Sequence, residues 1–261
     1  MFRKLLLSTL AVLSLGSAPA LAAGEGGHVH DYAFSFEGPF GTYDRAQLQR
    51  GLQVYNEVCS ACHGLNMVAF RSLAAETGPA IEADTLRAFA AEHEVEDGEG
   101  GYRSAELTDF FPGSSLENAP DLSLMAKARA GFHGPYGLGI NQLIHGMGGP
   151  EYIASFLTGF TGEETEMAGA LFYENEAFGG NVSMPPVLVE DLVEYSDGTP
   201  ATEEQMAQDV AAFLMWAAEP HLPQRKMWGF IGVLFLAMLA SLLYLTNKRL
   251  WAPIKNQAKQ G

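Results

Sequence analysis

Cysteine is almost absent from this chain, since only Cys59 and Cys62 occur among its 261 residues. One pair cannot form the framework of several disulfides that small secreted scaffolds use, so that class is excluded. The sequence also contains no zinc-binding cluster, no phosphate-binding glycine loop and no nucleophile triad. Any redox chemistry must therefore come from the two thiols or from a group bound to them.

Basic residues are scarce in the long central part of the chain. All 31 Asp and Glu residues fall between Glu25 and Glu219, where only seven Lys or Arg occur. Such a surface repels nucleic acid and steers cationic partners toward itself, an attraction that weakens with salt. The densest run, Glu92 to Glu99, holds five acids and fits a docking patch or a solvated loop equally well.

Long apolar runs are also rare, and only two stand out. The first covers Leu5 to Leu15, follows Arg3 and Lys4, and leads to small residues that end at Ala20-Leu21-Ala22. About eleven apolar residues are too few to span a bilayer. The pattern predicts a secretory signal peptide over residues 1–22 and export of the chain to the periplasm.

The second apolar run, Met227 to Thr246, contains no charge. A helix of about twenty residues matches the roughly 30 Å of a hydrocarbon core. The run predicts a transmembrane anchor over residues 225–248 in the inner membrane. Basic residues beyond it place the tail, 249–261, in the cytoplasm, so residues 23–224 form one periplasmic domain close to the bilayer.

The exported domain is predicted to be mainly α with long loops, because the alternation typical of strands is scarce. Asp44 and Gln47 form a capping box before apolar residues at helical spacing. Thr202 starts a second amphipathic helix that ends before Pro220. These two helices, one near each end of the domain, are predicted to cross and to form its core.

The two cysteines belong to the run Cys59-Ser60-Ala61-Cys62-His63, the attachment motif of a c-type haem. In this motif both thiols add to the haem vinyl groups and the histidine ligates the iron. A redox dithiol of the thioredoxin kind is the alternative, but it would follow a strand, whereas a helix is predicted here. The sequence therefore predicts one covalently bound haem c with His63 as an axial ligand. Helices near both ends of a domain that cross beside such a haem are typical of a class I c-type cytochrome core.

The second axial ligand must come from far along the chain. Met184 is the strongest candidate, because the two prolines that follow it stiffen the loop that would hold its sulfur at the iron. His133 and His145 are the alternatives, although each fits an ordinary loop histidine. For the haem propionates, Arg129 offers a planar guanidinium in a domain with few cations.

Several longer segments carry a recognisable pattern. They are Val58-Cys-Ser-Ala-Cys-His63, Pro120-Asp-Leu-Ser123, Gly149-Pro-Glu-Tyr152, Met184-Pro-Pro186, Asp197-Gly-Thr-Pro-Ala-Thr202 and Phe213-Leu-Met-Trp-Ala-Ala-Glu-Pro220. With them the chain resembles the cytochrome c1 family, the haem subunits of the quinol–cytochrome c oxidoreductase (bc1) complex of alphaproteobacteria and mitochondria. The likeness covers nearly the whole mature chain.

The resemblance implies a set of haem contacts and a function. It implies an electron-transfer subunit, not an enzyme on its own, that takes one electron from the Rieske iron–sulfur protein. The electron would pass to a soluble or membrane-bound cytochrome c, with cytochrome b as the third catalytic partner in a dimeric complex. The implied haem contacts are the covalent Cys59 and Cys62, the axial His63 and Met184, the propionate neighbours Arg129 and Tyr152, and Pro120, which packs beside His63.

One departure from the family and two other functions are also relevant. The segment from Thr161 to Gly180 is short, whereas some bacterial members of the family carry an insertion with an additional cysteine pair there.

A haem subunit of a terminal oxidase or nitric oxide reductase would carry the same attachment motif. A peroxidase would too, but it needs an open or displaceable sixth position on the iron.

Overall fold

A computed structural model describes residues 27–98, 100–129, 148–167 and 169–257. The predicted signal peptide, residues 1–22, and the alternative ligands His133 and His145 lie outside these residues. Over the described ranges the fold is mainly α with long loops, as the sequence predicts, and ends in one long apolar helix.

Both predicted helix caps are confirmed. Helix α1 covers Arg45–Glu57, and one Asp44 carboxylate oxygen accepts hydrogen bonds from the backbone N–H groups of Ala46 and Gln47. Near the other end, the Thr202 hydroxyl accepts a bond of 3.1 Å from the Gln205 N–H at the start of the helix Glu203–Ala218. Each cap satisfies donors that a helix start leaves without an intrahelical partner.

These two terminal helices cross at Gly51. A Cβ atom placed on Gly51 would lie 2.0 Å from the Asp209 carbonyl oxygen and 2.7 Å from the Phe213 Cβ, so the backbones meet where only glycine fits. The crossing is the centre of the hydrophobic core and confirms the predicted arrangement. The largest fully buried side chains of this core are Trp216, Tyr55, Phe70, Phe213, Leu48, Leu65, Leu73, Leu86, Met206 and Met215.

Shorter elements fill the chain between the crossing helices. An antiparallel hairpin carries most of the acidic run that begins at Glu92. The elements are α2 (Ala83–Ala91), β1 (Glu94–Glu96), β2 (Tyr102–Ser104), α3 (Met125–Ala128) and α4 (Gly149–Thr158). The terminal helix Glu203–Ala218 is α5, and it packs against α1, α3 and α4.

A three-stranded antiparallel sheet follows α4 where the sequence predicts no strands. Its order is β3 (Phe160–Met167), β4 (Ala170–Asn175) and β5 (Gly180–Val182). Tyr173 of the central strand faces Val182 of the last one. The sheet therefore returns the chain to the domain two residues before Met184.

The last helix, α6, covers Leu222–Gln257 and extends the predicted anchor in both directions. Residues Leu222–Ile254 have a mean hydropathy of 2.2 over their most apolar part, none of which is buried within the domain. The helix is thus long and apolar enough to cross a membrane. Because α5 ends at Ala218, only three residues separate the core helix from the anchor.

Candidate functional site

The segment Cys59–His63 forms a single tight turn directly after α1. The N–H groups of Cys62 and His63 both donate to the Cys59 carbonyl oxygen, at 3.2 and 2.9 Å. The Ser60 hydroxyl donates to the Asn56 carbonyl oxygen at 2.7 Å and ties the turn to the end of α1. Two thiols and one imidazole are therefore held on one rigid turn, which is the arrangement that a c-type haem requires.

The His63 imidazole is oriented through its Nδ1 atom. This nitrogen lies 2.7 Å from the Pro120 carbonyl oxygen, so Nδ1 carries the proton and donates it to that oxygen. In the neutral imidazole this tautomer leaves Nε2 as the nitrogen with a lone pair available to a metal. The Tyr55 hydroxyl donates to the His63 carbonyl oxygen at 3.0 Å and fixes the backbone as well.

The Pro-Asp-Leu-Ser segment that supplies this carbonyl is held in place by three further bonds. Asp121 accepts from the N–H groups of Asn66 and Ser123, both at 2.9 Å, through its two carboxylate oxygens. The Leu122 N–H donates to the Gly64 carbonyl oxygen at 2.9 Å. The segment thus acts as a brace beside the haem motif, and its sequence pattern follows from these bonds.

The thiols do not match a redox dithiol. Neither Cys59 nor Cys62 forms a disulfide in the structure. Burial, with a smaller contribution from Cys62, raises the pKa of the Cys59 thiol to about 12. A thioredoxin-like centre needs a thiol of lowered pKa at the start of an α-helix, whereas Cys59 comes just after the C-terminal end of α1.

Met184 is half-buried and packs against the hydrophobic core. Strand β5 ends at Val182, and Pro185 and Pro186 follow the methionine with backbone φ angles fixed by their rings. The side chain is thus presented from a short, stiff connection between the sheet and the core.

The two residues implied as propionate neighbours lie next to each other in the structure. The Arg129 guanidinium stands over the Tyr152 ring, 5.7 Å from the ring centroid. Lys127, the nearest other cation in sequence, is engaged elsewhere, because its Nζ lies 3.1 Å from a Glu219 carboxylate oxygen. Arg129 is therefore the better placed of the two to meet a carboxylate from a ligand.

These residues fit a covalent haem by their own chemistry: two thiols and an imidazole on one turn, that imidazole oriented by Pro120, and a thioether on a stiff connection. The family model described as the Cytochrome C1 family matches residues 34–254. This chain belongs to the cytochrome c1 family.

Relatives named as cytochromes c1 align with 92 to 99% of this chain. Cytochrome c1 of Cereibacter sphaeroides is 54% identical over 283 residues, covering 99% of each chain. The cytochrome c1 haem protein of Saccharomyces cerevisiae mitochondria is 38% identical over 92% of this chain and 78% of the yeast protein. A protein named cytochrome b/c1 in Bradyrhizobium diazoefficiens is 39% identical over 92% of this chain and 38% of its own length.

Membership of the cytochrome c1 family establishes the cofactor and the general role. The chain carries one covalently bound haem c and is an electron-transfer subunit of the bc1 complex. The 283 aligned positions with the Cereibacter protein exceed the 261 residues of this chain, so that cytochrome c1 contains insertions relative to this one.

Asn175 has a structural role beside the site that the sequence does not predict. Its side chain is fully buried, donates to the Phe156 carbonyl oxygen at 2.7 Å and accepts from the Phe178 N–H at 3.0 Å. The amide therefore joins the end of β4 to α4 and fixes the sheet that leads to Met184. A single Asn in a loop-like stretch gave no signal of this role.

Glu151 is the other missed residue, directly before Tyr152. Its side chain is fully buried close to the carboxyl group of Glu37. Burial, together with the negative charges of Glu37 and Asp31, raises the pKa of Glu151 to about 8. The carboxyl group is therefore mainly protonated at neutral pH, and it adds little negative charge beside Tyr152 and Arg129.

Proposed function

We propose that this cytochrome c1 takes one electron at a time from the Rieske iron–sulfur protein and passes it to a soluble or membrane-bound cytochrome c. The observation that carries the proposal is the Cys59–His63 turn with His63 already oriented by Pro120. Haem c supplies the one-electron couple when it is bound. Cytochrome b is the third catalytic subunit, and the complex is a dimer.

In this proposal each haem contact has a distinct task. Cys59 and Cys62 fix the haem covalently, so it cannot dissociate when its oxidation state changes. His63 would hold the iron through Nε2, since its Nδ1–H is directed to the Pro120 carbonyl oxygen. Met184 would supply a thioether to the iron, and a thioether raises the reduction potential relative to a second imidazole.

Arg129 and Tyr152 would meet the haem propionates. Burying a carboxylate without a partner is costly, and a guanidinium can donate two parallel hydrogen bonds to it. The ring of Tyr152 holds the Arg129 guanidinium from one side and leaves its other donors for a ligand.

The proposed localisation follows from the two apolar runs. Residues 1–22 would direct export, residues 23–224 would lie in the periplasm, and residues 225–248 would cross the inner membrane with 249–261 in the cytoplasm. The excess of acidic residues between Glu25 and Glu219 would attract a basic cytochrome c. The electron-transfer rate to a basic acceptor should accordingly fall as ionic strength rises.

A test of the donor uses the complex purified from membranes through a tag on this chain. Quinol is mixed rapidly with the whole complex and with complex from a strain that lacks the Rieske protein. We expect this haem to be reduced within one turnover in the first and orders of magnitude more slowly in the second, with recovery when the Rieske protein is restored.

Dithionite serves as the control, since it should reduce the haem equally in both preparations. Equal quinol-driven rates with and without the Rieske protein would contradict the proposed donor. Copurification with a binuclear oxidase, instead of with cytochrome b, would contradict the proposed complex and favour an oxidase or nitric oxide reductase subunit.

A further inference from the structure

A short loop near the start of the domain carries an exposed aromatic side chain beside the anchor helix. This Phe40 loop comprises residues 37–41. Phe40 is 72% exposed, yet its ring centroid lies 5.3 Å from that of Phe230 on α6, in an edge-on arrangement. The ring thus touches the anchor and presents its remaining surface outward.

The Phe40 loop is a tight turn with a well-defined backbone conformation. Gly38 has a φ of +64°, a conformation that glycine adopts freely. A Cβ on Gly41 would lie 1.9 Å from the Glu37 carbonyl oxygen, so the loop closes tightly on itself. Below it, the rings of Phe34 and Phe36 are buried and stacked 5.0 Å apart. The tip is therefore held rigidly on the core.

Lys226 ties the same loop to the anchor. Its ammonium group donates to the carbonyl oxygens of Phe36 and, at 2.8 Å, Gly38. Phe230 follows Lys226 by one helical turn, which is about 6 Å along the helix axis. The loop is thus held at a fixed position along the axis of α6, next to the first uncharged turn of that helix.

This position along α6 places Phe40 at the boundary between water and lipid if α6 spans the membrane. Lys226 is the last charge before the uncharged run Met227–Thr246, so its ammonium marks the level of the headgroups. A side chain one turn further along the helix lies at or just below the acyl boundary. Phe230 is there, 46% exposed, and Phe40 lies against it.

We propose that the Phe40 loop inserts its tip into the outer surface of the lipid bilayer as a second, non-covalent membrane contact beside α6. The loop is continuous with the face of the anchor that carries Phe230, Val233 and Leu234, whose side chains are 46%, 66% and 55% exposed. Large aromatic side chains are favoured at this level. Two contact points would fix the tilt of the haem domain relative to the membrane. The inference rests on the proposed membrane anchoring and is independent of the electron-transfer role.

The test uses spin labels on the full-length haem protein within its complex in lipid nanodiscs. Cysteines are introduced singly by Phe40→Cys, Leu236→Cys and Tyr102→Cys. Since Cys59 and Cys62 are bound to the haem, the introduced thiol is the one that reacts in this chain, and the complex without an introduced cysteine gives the background from the other subunits. Leu236 lies mid-anchor and 61% exposed, and Tyr102 lies 69% exposed on β2 as the aqueous control. Molecular oxygen, which concentrates in lipid, and a water-soluble nickel complex are compared as relaxing agents.

We expect oxygen to relax the label severalfold more effectively than nickel at positions 40 and 236, and the reverse at position 102. A nickel-dominated response at position 40 with an oxygen-dominated response at 236 would overturn the loop contact and leave the anchor intact. Low accessibility to both agents at position 40 would also overturn it, because the ring would then lie against another subunit. A nickel-dominated response at 236 would show that the anchoring itself is wrong.

Discussion

Replacing Met184 with leucine is expected to lower the reduction potential of the haem by roughly 0.1 V or more, since axial ligands set haem potentials over about 0.8 V. Leucine has a similar volume and no sulfur, so the half-buried site stays filled while the iron loses its thioether. The haem should remain attached through Cys59 and Cys62. The measurement is a redox titration of the visible spectrum, with the thioether-to-iron charge-transfer band of the oxidised form as a second signal.

Met206→Leu is the matched control for this change. Met206 is fully buried on α5 and packs in the core, so the same substitution there should leave the potential and the charge-transfer band unchanged. An unchanged potential in Met184→Leu would show that another residue is the ligand. Carbon monoxide binding to the reduced native protein at neutral pH would indicate an open sixth position and favour a peroxidase.

Replacing Asp209 with alanine should destabilise the haem domain by about 3 kcal/mol, because the Arg50 guanidinium, with only 16% of its side chain exposed, then keeps Asp197 as its one carboxylate partner among the described residues. The Arg50 Nε and Nη2 atoms donate to the two Asp209 oxygens at 2.8 and 3.1 Å. For a domain of this size the loss corresponds to a fall in Tm of roughly 10 °C. Thermal unfolding followed by circular dichroism of the haem band measures it.

Glu204→Ala removes the same charge from an exposed position on the same helix and should change the Tm little. A second variant, Asp209→Asn, keeps an acceptor for Arg50 and should fall between the two. If Asp209→Ala and Glu204→Ala unfold at the same temperature, the Arg50–Asp209 pair does not hold the helix crossing.

The sequence predicts the parts of the fold that local chemistry determines. Asp44 and Thr202 cap their helices as expected because a capping oxygen and its N–H partner lie within three residues of each other. The long apolar helix α6 is also predictable from the sequence, since a long uncharged run is compatible with few other structures. Its helix extends beyond residues 225–248 because Pro223 is tolerated in the first turn of a helix and because Arg249 and Leu250 are good helix formers at the other end.

The sheet beside Met184 was missed because its strands lack the usual pattern. Strand β3, Phe160–Met167, is exposed along nearly its whole length, so no alternation of apolar and polar residues marks it. Its stability comes from pairing with β4 and from the buried Asn175, which bonds to a carbonyl 19 residues away. Such long-range contacts leave no periodicity in the sequence.

The candidate site likewise contains some residues that the local sequence predicts and others that only the fold brings together. The haem motif is visible because its three functional residues lie within five positions. The Nδ1 contact of His63 reaches Pro120, 57 residues away, and Arg129 meets Tyr152 across a stretch that is also distant in sequence. The chemistry of a guanidinium in an acidic domain indicates Arg129, whereas Pro120 and Tyr152 come from the family resemblance, because spacing alone cannot bring them to the site.

The central claim is that this chain carries its electron on a haem held by both Cys59 and Cys62. The most direct measurement is the intact mass of the protein purified from membranes, after treatment with a thiol-alkylating reagent. We expect the polypeptide mass plus one haem, with no alkylated cysteine. A bare polypeptide with two alkylated cysteines would contradict the account.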